Sequence, residues 1–249
     1  MALLKPQNTV IYDTQFFDRN SLIAMRSARP VAGLVYEMLR PARVVDVGCG
    51  LGEWLLAFQE LGVRQLCGLD GDHVQRDRLL IDRSCFLPTN LAHPFEVPGE
   101  YDLAMCLEVA EHLPHAASGR FVRALTRAAP FVLFSAAIPG QDGNGHINLK
   151  WPDYWRSLFE AEGFRMFDPI RPRFREHPSI EWWYRQNLFL YASERIEPWR
   201  FGLGEQVARG KELEWIHISA ARHNRRLRQA IRRVPGAMWA WSKVKPWIR

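Results

Sequence analysis

The sequence predicts an α/β chain built on a doubly wound, mostly parallel sheet, with a helical cap before it and a basic helical tail after it. Three observations lead there. The first is the run Val44-Val45-Asp46-Val47-Gly48-Cys49-Gly50-Leu51-Gly52-Glu53-Trp54, an apolar strand that breaks at glycines and continues as a helix. The second is another short apolar run, Arg64-Gln65-Leu66-Cys67-Gly68-Leu69-Asp70, closed by an acid. The third is alternation: strands are expected at about 43–47, 65–69, 85–88, 101–107, 131–137, 164–170 and 186–192, with helices between the first five. Strands that alternate with helices pair in parallel and are covered on both faces.

Each element carries its own chemistry. Gly48 and Gly50 lack a Cβ, so the backbone can turn tightly and a ligand can approach the main chain, while the helix that follows points free N–H groups at the same spot. A dinucleotide-binding turn would have a third glycine three residues after the second, and that place is Glu53. Asp46 before the turn repels a pyrophosphate and attracts a ligand bearing ammonium and sulfonium charges, which favours S-adenosylmethionine over NAD. Asp70 at the second strand end either accepts from both ribose hydroxyls or caps the next helix. Loop Pro139–Gly145 follows the fifth strand, on the edge where open α/β sheets bind ligands.

Composition sets limits. With 249 residues and 47% apolar content, one sizeable core plus an appendage is expected. There is no apolar run of about eighteen residues and no signal-peptide core at the start, so a cytoplasmic protein is expected. Cys49, Cys67, Cys85 and Cys106 each fall on or beside one of the first four strands and are read as reduced and buried, since they lack the spacing of a zinc site.

The chain resembles the class I S-adenosylmethionine-dependent methyltransferases, and within them the bacterial small-molecule and glycan-cluster branch of the type 11 and type 23 kind. The likeness spans about residues 10–192. It rests on Val45-Asp46-Val47-Gly48-Cys49-Gly50, Gly68-Leu69-Asp70, Asn90-Leu91, Leu107-Glu108-Val109-Ala110-Glu111-His112-Leu113, and Gly145-His146-Ile147-Asn148 through Trp155. The resemblance implies a Rossmann-like sheet of seven strands with the last antiparallel, and S-adenosylmethionine as cofactor. It also implies that Asp46, Gly48 and Gly50 hold the methionine end, Asp70 the ribose, Asn90 and the Leu91 backbone the adenine, and that Glu108 touches the cofactor. Arg29 in the cap would pair with the cofactor carboxylate, and Tyr12, Phe16 and Phe17 would close over it. The family usually has Asp where this chain has Asn90, although an amide oxygen still accepts from the adenine amino group.

Methyl transfer from a sulfonium is an in-line displacement, so the protein aligns the nucleophile and removes a proton if that nucleophile is a hydroxyl. His146 is the first candidate base and His112 the second; for each the alternative is a cofactor contact, and for His146 also a tie within the loop. No metal is required in this scheme, Asp142 beside His146 being a weak oxygen and nitrogen pair. Trp151, Tyr154, Trp155, Trp182, Trp183 and Tyr184 either wall an acceptor mouth suited to a sugar or aromatic ring or pack in the core, as the helical spacing of Trp151, Trp155, Leu158 and Phe159 suggests.

Three segments are expected: a cap over 1–40, the cofactor-binding core over 41–195 and a basic extension over 196–249. From Trp215 to Arg249 there are nine Lys and Arg residues and no acid, which exceeds the formal net charge of +6 and leaves the rest of the chain mildly acidic. Leu213, Ile216, Ala220, Leu227, Ile231 and Val234 share one helical face there, and Trp239, Trp241 and Trp247 follow. The pattern suits an anionic membrane surface or polyanionic acceptor, placing the protein at the inner membrane face; the alternative is a stripe packed on the core or on a second subunit of a homodimer. Nucleic acid is not expected, because the Asn-Pro-Pro-Tyr-type tetrapeptide of amino-methylating enzymes is missing and the basic residues form a tail.

These readings favour O-methylation of a sugar hydroxyl on a glycan or glycosylated metabolite. The rivals are methylation of an amine or phenol on a small metabolite, and a non-catalytic membrane- or nucleic-acid-binding module on the same fold.

Overall fold

The computed structural model describes residues 14–141 and 143–208, with side chains from residue 21 onward. Asp142, the aromatic residues Tyr12, Phe16 and Phe17, and the whole basic extension from 209 lie outside the described residues or side chains, so the metal pair, the closing cap and the membrane-facing tail expected there belong to the sequence alone.

Seven strands form one sheet: β1 Arg43–Val47, β2 Gln65–Asp70, β3 Phe86–Pro88, β4 Leu103–Leu107, β5 Phe131–Ser135, β6 Phe164–Phe167 and β7 Phe189–Ser193, in the order β3-β2-β1-β4-β5-β7-β6. β1 runs parallel to β2 and β4, β2 to β3 and β4 to β5, whereas β7 inserts antiparallel between β5 and β6. The chain reverses its direction of winding between β2 and β4, on either side of β1. That leaves a crevice at the carboxyl ends of these strands, where open α/β sheets take ligands.

The strands show why alternation in sequence becomes two cores. On β4, Leu103, Met105 and Leu107 face one layer while Ala104 and Cys106 face the other; on β5, Phe131 and Leu133 oppose Val132 and Phe134 in the same way. The first layer is closed by helices α1 (Thr14–Leu39) and α2 (Glu53–Glu60), through Ala28, Val31, Ala32 and Val35 against Leu55 and Phe58. The second is closed by α3 (Ser118–Ala128) and α4 (Pro152–Ala161), through Phe121, Val122 and Leu125 with Trp155 and Phe159. The inner half of α1 is therefore a layer of the core and more than a cap.

The expected helices between the first five strands occur after β1 and β4 only. From β2 to β3 the chain makes two short 3-10 turns, Arg76–Arg78 and Arg83–Cys85, and from β3 to β4 it runs irregularly past Pro94, Pro98 and Gly99. Prolines remove the donors a helix needs, and Arg76–Arg78 and Arg83–Cys85 bury no residue that would reward helix packing. The last strand also starts later than expected, because Gln186 and Asn187 end helix α6 (Trp182–Asn187) and turn their amides into a buried network.

Short helix α5 (Arg171–Phe174) contributes a buried charge. Arg171, 2% exposed, donates to both Asp168 oxygens at 3.0 and 2.7 Å and to the Gln186 carbonyl at 2.8 Å, and lies 3.8 Å over the Phe189 ring. This forked arrangement ties the β6–α5 corner to β7 and matches guanidinium geometry alone. Arg171→Met leaves the Asp168 carboxylate unpaired and is expected to lower the unfolding free energy by about 3 kcal/mol in urea melts, with Arg171→Lys recovering only part of it.

Candidate active site

At the carboxyl ends of β1, β2 and β4 a cavity of about 550 Å³ opens. The turn after β1 forms its floor. Gly48, Gly50 and Gly52 have φ of 92°, 56° and 91°, in the left-handed region that glycine enters without penalty. At Gly48 a second constraint applies, since a Cβ there would lie 2.2 Å from Val109 Cγ2. The turn is fastened to β2: the N–H groups of Gly48 and Cys49 donate to the Leu69 carbonyl at 2.7 and 3.2 Å, and Gly50 N–H donates to Asp70 Oδ2 at 2.8 Å.

Asp70 is a bracket. Its other oxygen accepts from Gly71 N–H at 2.6 Å and faces His73 Nε2 at 3.5 Å, so the carboxylate holds the ends of β1 and β2 in register while lining the cavity. Each oxygen keeps a further lone pair for a ligand. Two more acids crowd the same end. Asp46 is buried beneath the turn, and burial, then Asp70, then Glu53, hold its carboxyl well above the usual range. Glu53 opens α2, lines the cavity and is also raised by burial, against a hydrogen bond from Ser21. Three carboxyl groups around one turn hinder one another's ionisation, and a cationic ligand favours their charged forms.

The sequence-predicted residues divide by position. Gly48, Gly50, Asp70, Asn90, Leu91, Glu108 and His112 line the cavity. Asp46 does not; it acts from below. Arg29 is displaced altogether: it forms a forked pair with Glu60, both bonds 2.8 Å, on the exposed flank between α1 and α2, so its guanidinium is not available to a cofactor carboxylate in this arrangement. Asn90 spends one lone pair of its amide oxygen on Ala92 N–H at 3.1 Å, which folds the loop after β3. Of the six aromatic residues read as either a mouth or core, none is in the cavity wall; Trp155 and Tyr184 are core, in ring contact with Phe134 and Trp54, and Tyr154 meets His115 at 3.1 Å.

The segment after β4 carries the remaining chemistry. Glu108 has φ 56°, rare for a residue with a Cβ, and its N–H donates to the Ser135 carbonyl at 3.0 Å, which locks it at the end of β4. Gln141 donates to Glu108 Oε2 at 3.1 Å and accepts from Asn187 at 3.0 Å. Glu111 is buried completely, and burial with the Glu108 charge beside it pushes its carboxyl well above the usual range. His112 lines the cavity; burial, then the neighbouring His146, lowers it to about 4, against the Gly145 carbonyl its ring faces, so the imidazole is neutral at neutral pH. His146 lies outside the cavity wall but in edge-to-face contact with His112, centroids 4.9 Å apart. Gly143 makes room for it, a Cβ there falling 2.1 Å from the His146 ring. Glu53, Ser21, Glu111 and Gln141 are the site residues that sequence reasoning missed; Glu53 was visible as the acid in a glycine's place, and Glu111 as the second acid of Glu108-Val109-Ala110-Glu111-His112.

Comparison with known proteins gives this geometry its class. A family profile described as a methyltransferase domain matches residues 25–169, more than half of the chain. The chain belongs to the class I S-adenosylmethionine-dependent methyltransferases, and S-adenosylmethionine is its cofactor. No protein of curated function matches by sequence. Among solved structures, the sugar N-methyltransferase KedS8 of Streptoalloteichus sp. ATCC 53650 is 17% identical, covering 78% of this chain and 96% of its own, with a TM-score of 0.56. A putative O-methyltransferase of Nostoc punctiforme is 16% identical over 72% of this chain and 59% of its own, TM-score 0.53. Human N-acetylserotonin methyltransferase, solved with S-adenosylmethionine, is 13% identical over 72% and 55%, TM-score 0.51. At these identities the likeness is one of fold. Among the described residues no helix is long and apolar enough to cross a membrane.

The tight approach of the turn to β4 is testable. Gly48→Ala forces both an unfavourable φ and an overlap with Val109, and should cost about 2 kcal/mol or more of stability, with weaker cofactor binding. Adding Val109→Ala should recover the overlap portion and leave the backbone portion, read by thermal melts of the two variants.

Proposed function

We propose that the chain methylates a hydroxyl of a sugar or glycosylated small molecule, using the negative end of the cavity for the sulfonium cofactor and the segment after β4 for the acceptor. The observation that carries this reading is the convergence of Asp46, Glu53 and Asp70 on the glycine turn, with His112 and Glu108 lining the same cavity. In this assignment Gly48 and Gly50 face the methionine end with Asp46 beneath them, the spare lone pairs of Asp70 take the ribose hydroxyls, and Asn90 and Leu91 border the adenine. Glu108 sits between cofactor and acceptor. The polar character of the His112, His146 and Glu111 group supports a hydroxylated acceptor, and the fold it shares with a sugar N-methyltransferase agrees with a sugar-like one. Acceptor activation falls to that group. When bound, S-adenosylmethionine would supply the methyl group to the hydroxyl oxygen and leave as the neutral thioether, and the hydroxyl proton would pass to an imidazole of that group.

Calorimetry with S-adenosylhomocysteine should show binding, and Asp70→Ala should weaken it about 10- to 100-fold through loss of two charge-assisted hydrogen bonds. Equal binding by the variant would overturn the ribose assignment.

A pH series separates charge from shape. Asp46 is raised by burial and by Asp70 and Glu53, so lowering the pH through its pKa removes a negative charge from below the turn. Affinity for cationic S-adenosylmethionine should then fall more steeply than affinity for S-adenosylhomocysteine, and Asp46→Asn should narrow that difference.

His146→Ala should lower turnover by roughly 10²–10⁴-fold with S-adenosylhomocysteine affinity unchanged, measured as product release over a panel of sugars, nucleotide-sugars, phenols and amines. A loss confined to cofactor affinity would move His146 out of the acceptor site.

A further inference from the structure

Glu111 poses a physical problem that the methyltransferase fold does not solve. It lies in the 3-10 turn Ala110–His112 directly after β4, is 0% exposed, and neither carboxylate oxygen has a hydrogen-bond partner of good geometry among the described residues. Its surroundings are the backbone N–H groups of Glu111 itself and Ala137, and the Glu108 carboxylate, whose Oε1 likewise lacks a partner. A fully buried carboxyl beside a second carboxylate is disfavoured in its charged form unless a cation stands against it.

What stands nearest is a set of metal-ligating atoms. One Glu111 oxygen and one ring nitrogen each from His112 and His146 lie within 4.8 Å of one another, and His146 Nε2 is 3.9 Å from Glu111 Oε1. The fold keeps them together. The N–H groups of Ile147 and Asn148 both donate to the Glu111 carbonyl at 2.9 Å, and the Asn148 amide donates to the Ala110 carbonyl at 3.3 Å and to Ser118 Oγ at 3.1 Å. His146 is thereby pinned against the turn that carries Glu111 and His112. The His112 ring faces the Gly145 carbonyl, the arrangement that orients a ligating imidazole in metal sites.

We propose that Glu111, His112 and His146 bind one divalent first-row transition cation, with coordination positions open toward the cavity for an oxygen of the acceptor. Ligands about 2.0–2.2 Å from a common ion stand about 3–3.5 Å apart, so side-chain movements of about 1 Å close the present triangle. Two imidazoles with one carboxylate suit manganese, iron, cobalt or zinc, whereas calcium takes oxygen ligands throughout. Glu108 stands beside the triangle as a further carboxylate. The role of the open positions rests on the proposed hydroxyl acceptor; the cation site itself does not.

The test uses the full chain stripped with a chelator and titrated with Mn²⁺, read by calorimetry and by the loss of the free-ion electron paramagnetic resonance signal. One ion per chain is expected, with Glu111→Gln and His146→Asn each weakening binding by at least about tenfold. Mn²⁺ should also raise the thermal midpoint of the unaltered chain and not that of Glu111→Gln. If the unaltered chain binds Mn²⁺ and Zn²⁺ no better than Glu111→Gln, both folded by circular dichroism, the site does not exist; should Glu111→Gln fail to fold, His146→Asn decides alone. S-adenosylhomocysteine binding on the same stripped chain separates the two ideas. Retained cofactor binding without metal binding removes only the cation site, and metal binding without cofactor binding removes only the cofactor assignment.

Discussion

The glycine turn after β1 is the constraint on which the rest of the site depends. Three chain segments meet there at distances that leave no room for side chains: the turn itself, the end of β2 through Leu69 and Asp70, and the segment after β4 through Val109. Gly48 needs both its φ and its missing Cβ, and the Asp70 carboxylate serves as the fastening between strands. Because the same atoms fasten the fold and line the cavity, a change that loosens the turn also reshapes the cofactor site.

Electrostatics follows from that packing. Asp46, Glu53 and Asp70 are drawn together by their places at one sheet end, two of them buried enough to resist ionisation. Three carboxyl groups so close together are a destabilising arrangement by themselves, and a cationic ligand offsets it. The segment after β4 repeats the situation with Glu108 and Glu111, again two acids near one another, here accompanied by two imidazoles. At and beneath the cavity there are thus two clusters of acids of different character, one beside backbone N–H groups and one beside two imidazoles.

The buried polar interactions outside the cavity serve to hold its edges. Gln141 joins Glu108 to Asn187, and Gln186 joins Asn187 to the carbonyl that receives Arg171, so the end of β4 is connected to the start of β7 and to the β6–α5 corner. Satisfied networks of this kind favour one arrangement of the neighbouring segments over others. The left-handed backbone of Glu108 sits at the head of this chain of contacts, which is what maintains it.

The sequence by itself determined the sheet, the glycine turn, the acid at the end of β2 and the family, because each is written in residues close together along the chain. Alternation on β4 and β5 is a period of two, and the requirement for glycine is a local backbone property. It did not determine which partner a side chain finds. Arg29 pairs with Glu60, 31 residues away, and of the aromatic residues that could wall a mouth or pack in the core, Trp155 lies in the core against Phe134. Asp46 acts from beneath the turn because β1 is central, with β2 and β4 on its two sides. The grouping of Glu111 and His112 with His146 likewise exists only in three dimensions, since it is made by the hydrogen bonds that fold Ile147 and Asn148 back onto the turn after β4. Local pattern fixes what an element is; distances between distant elements follow from how the layers close, and the chemistry of this site lies in those distances.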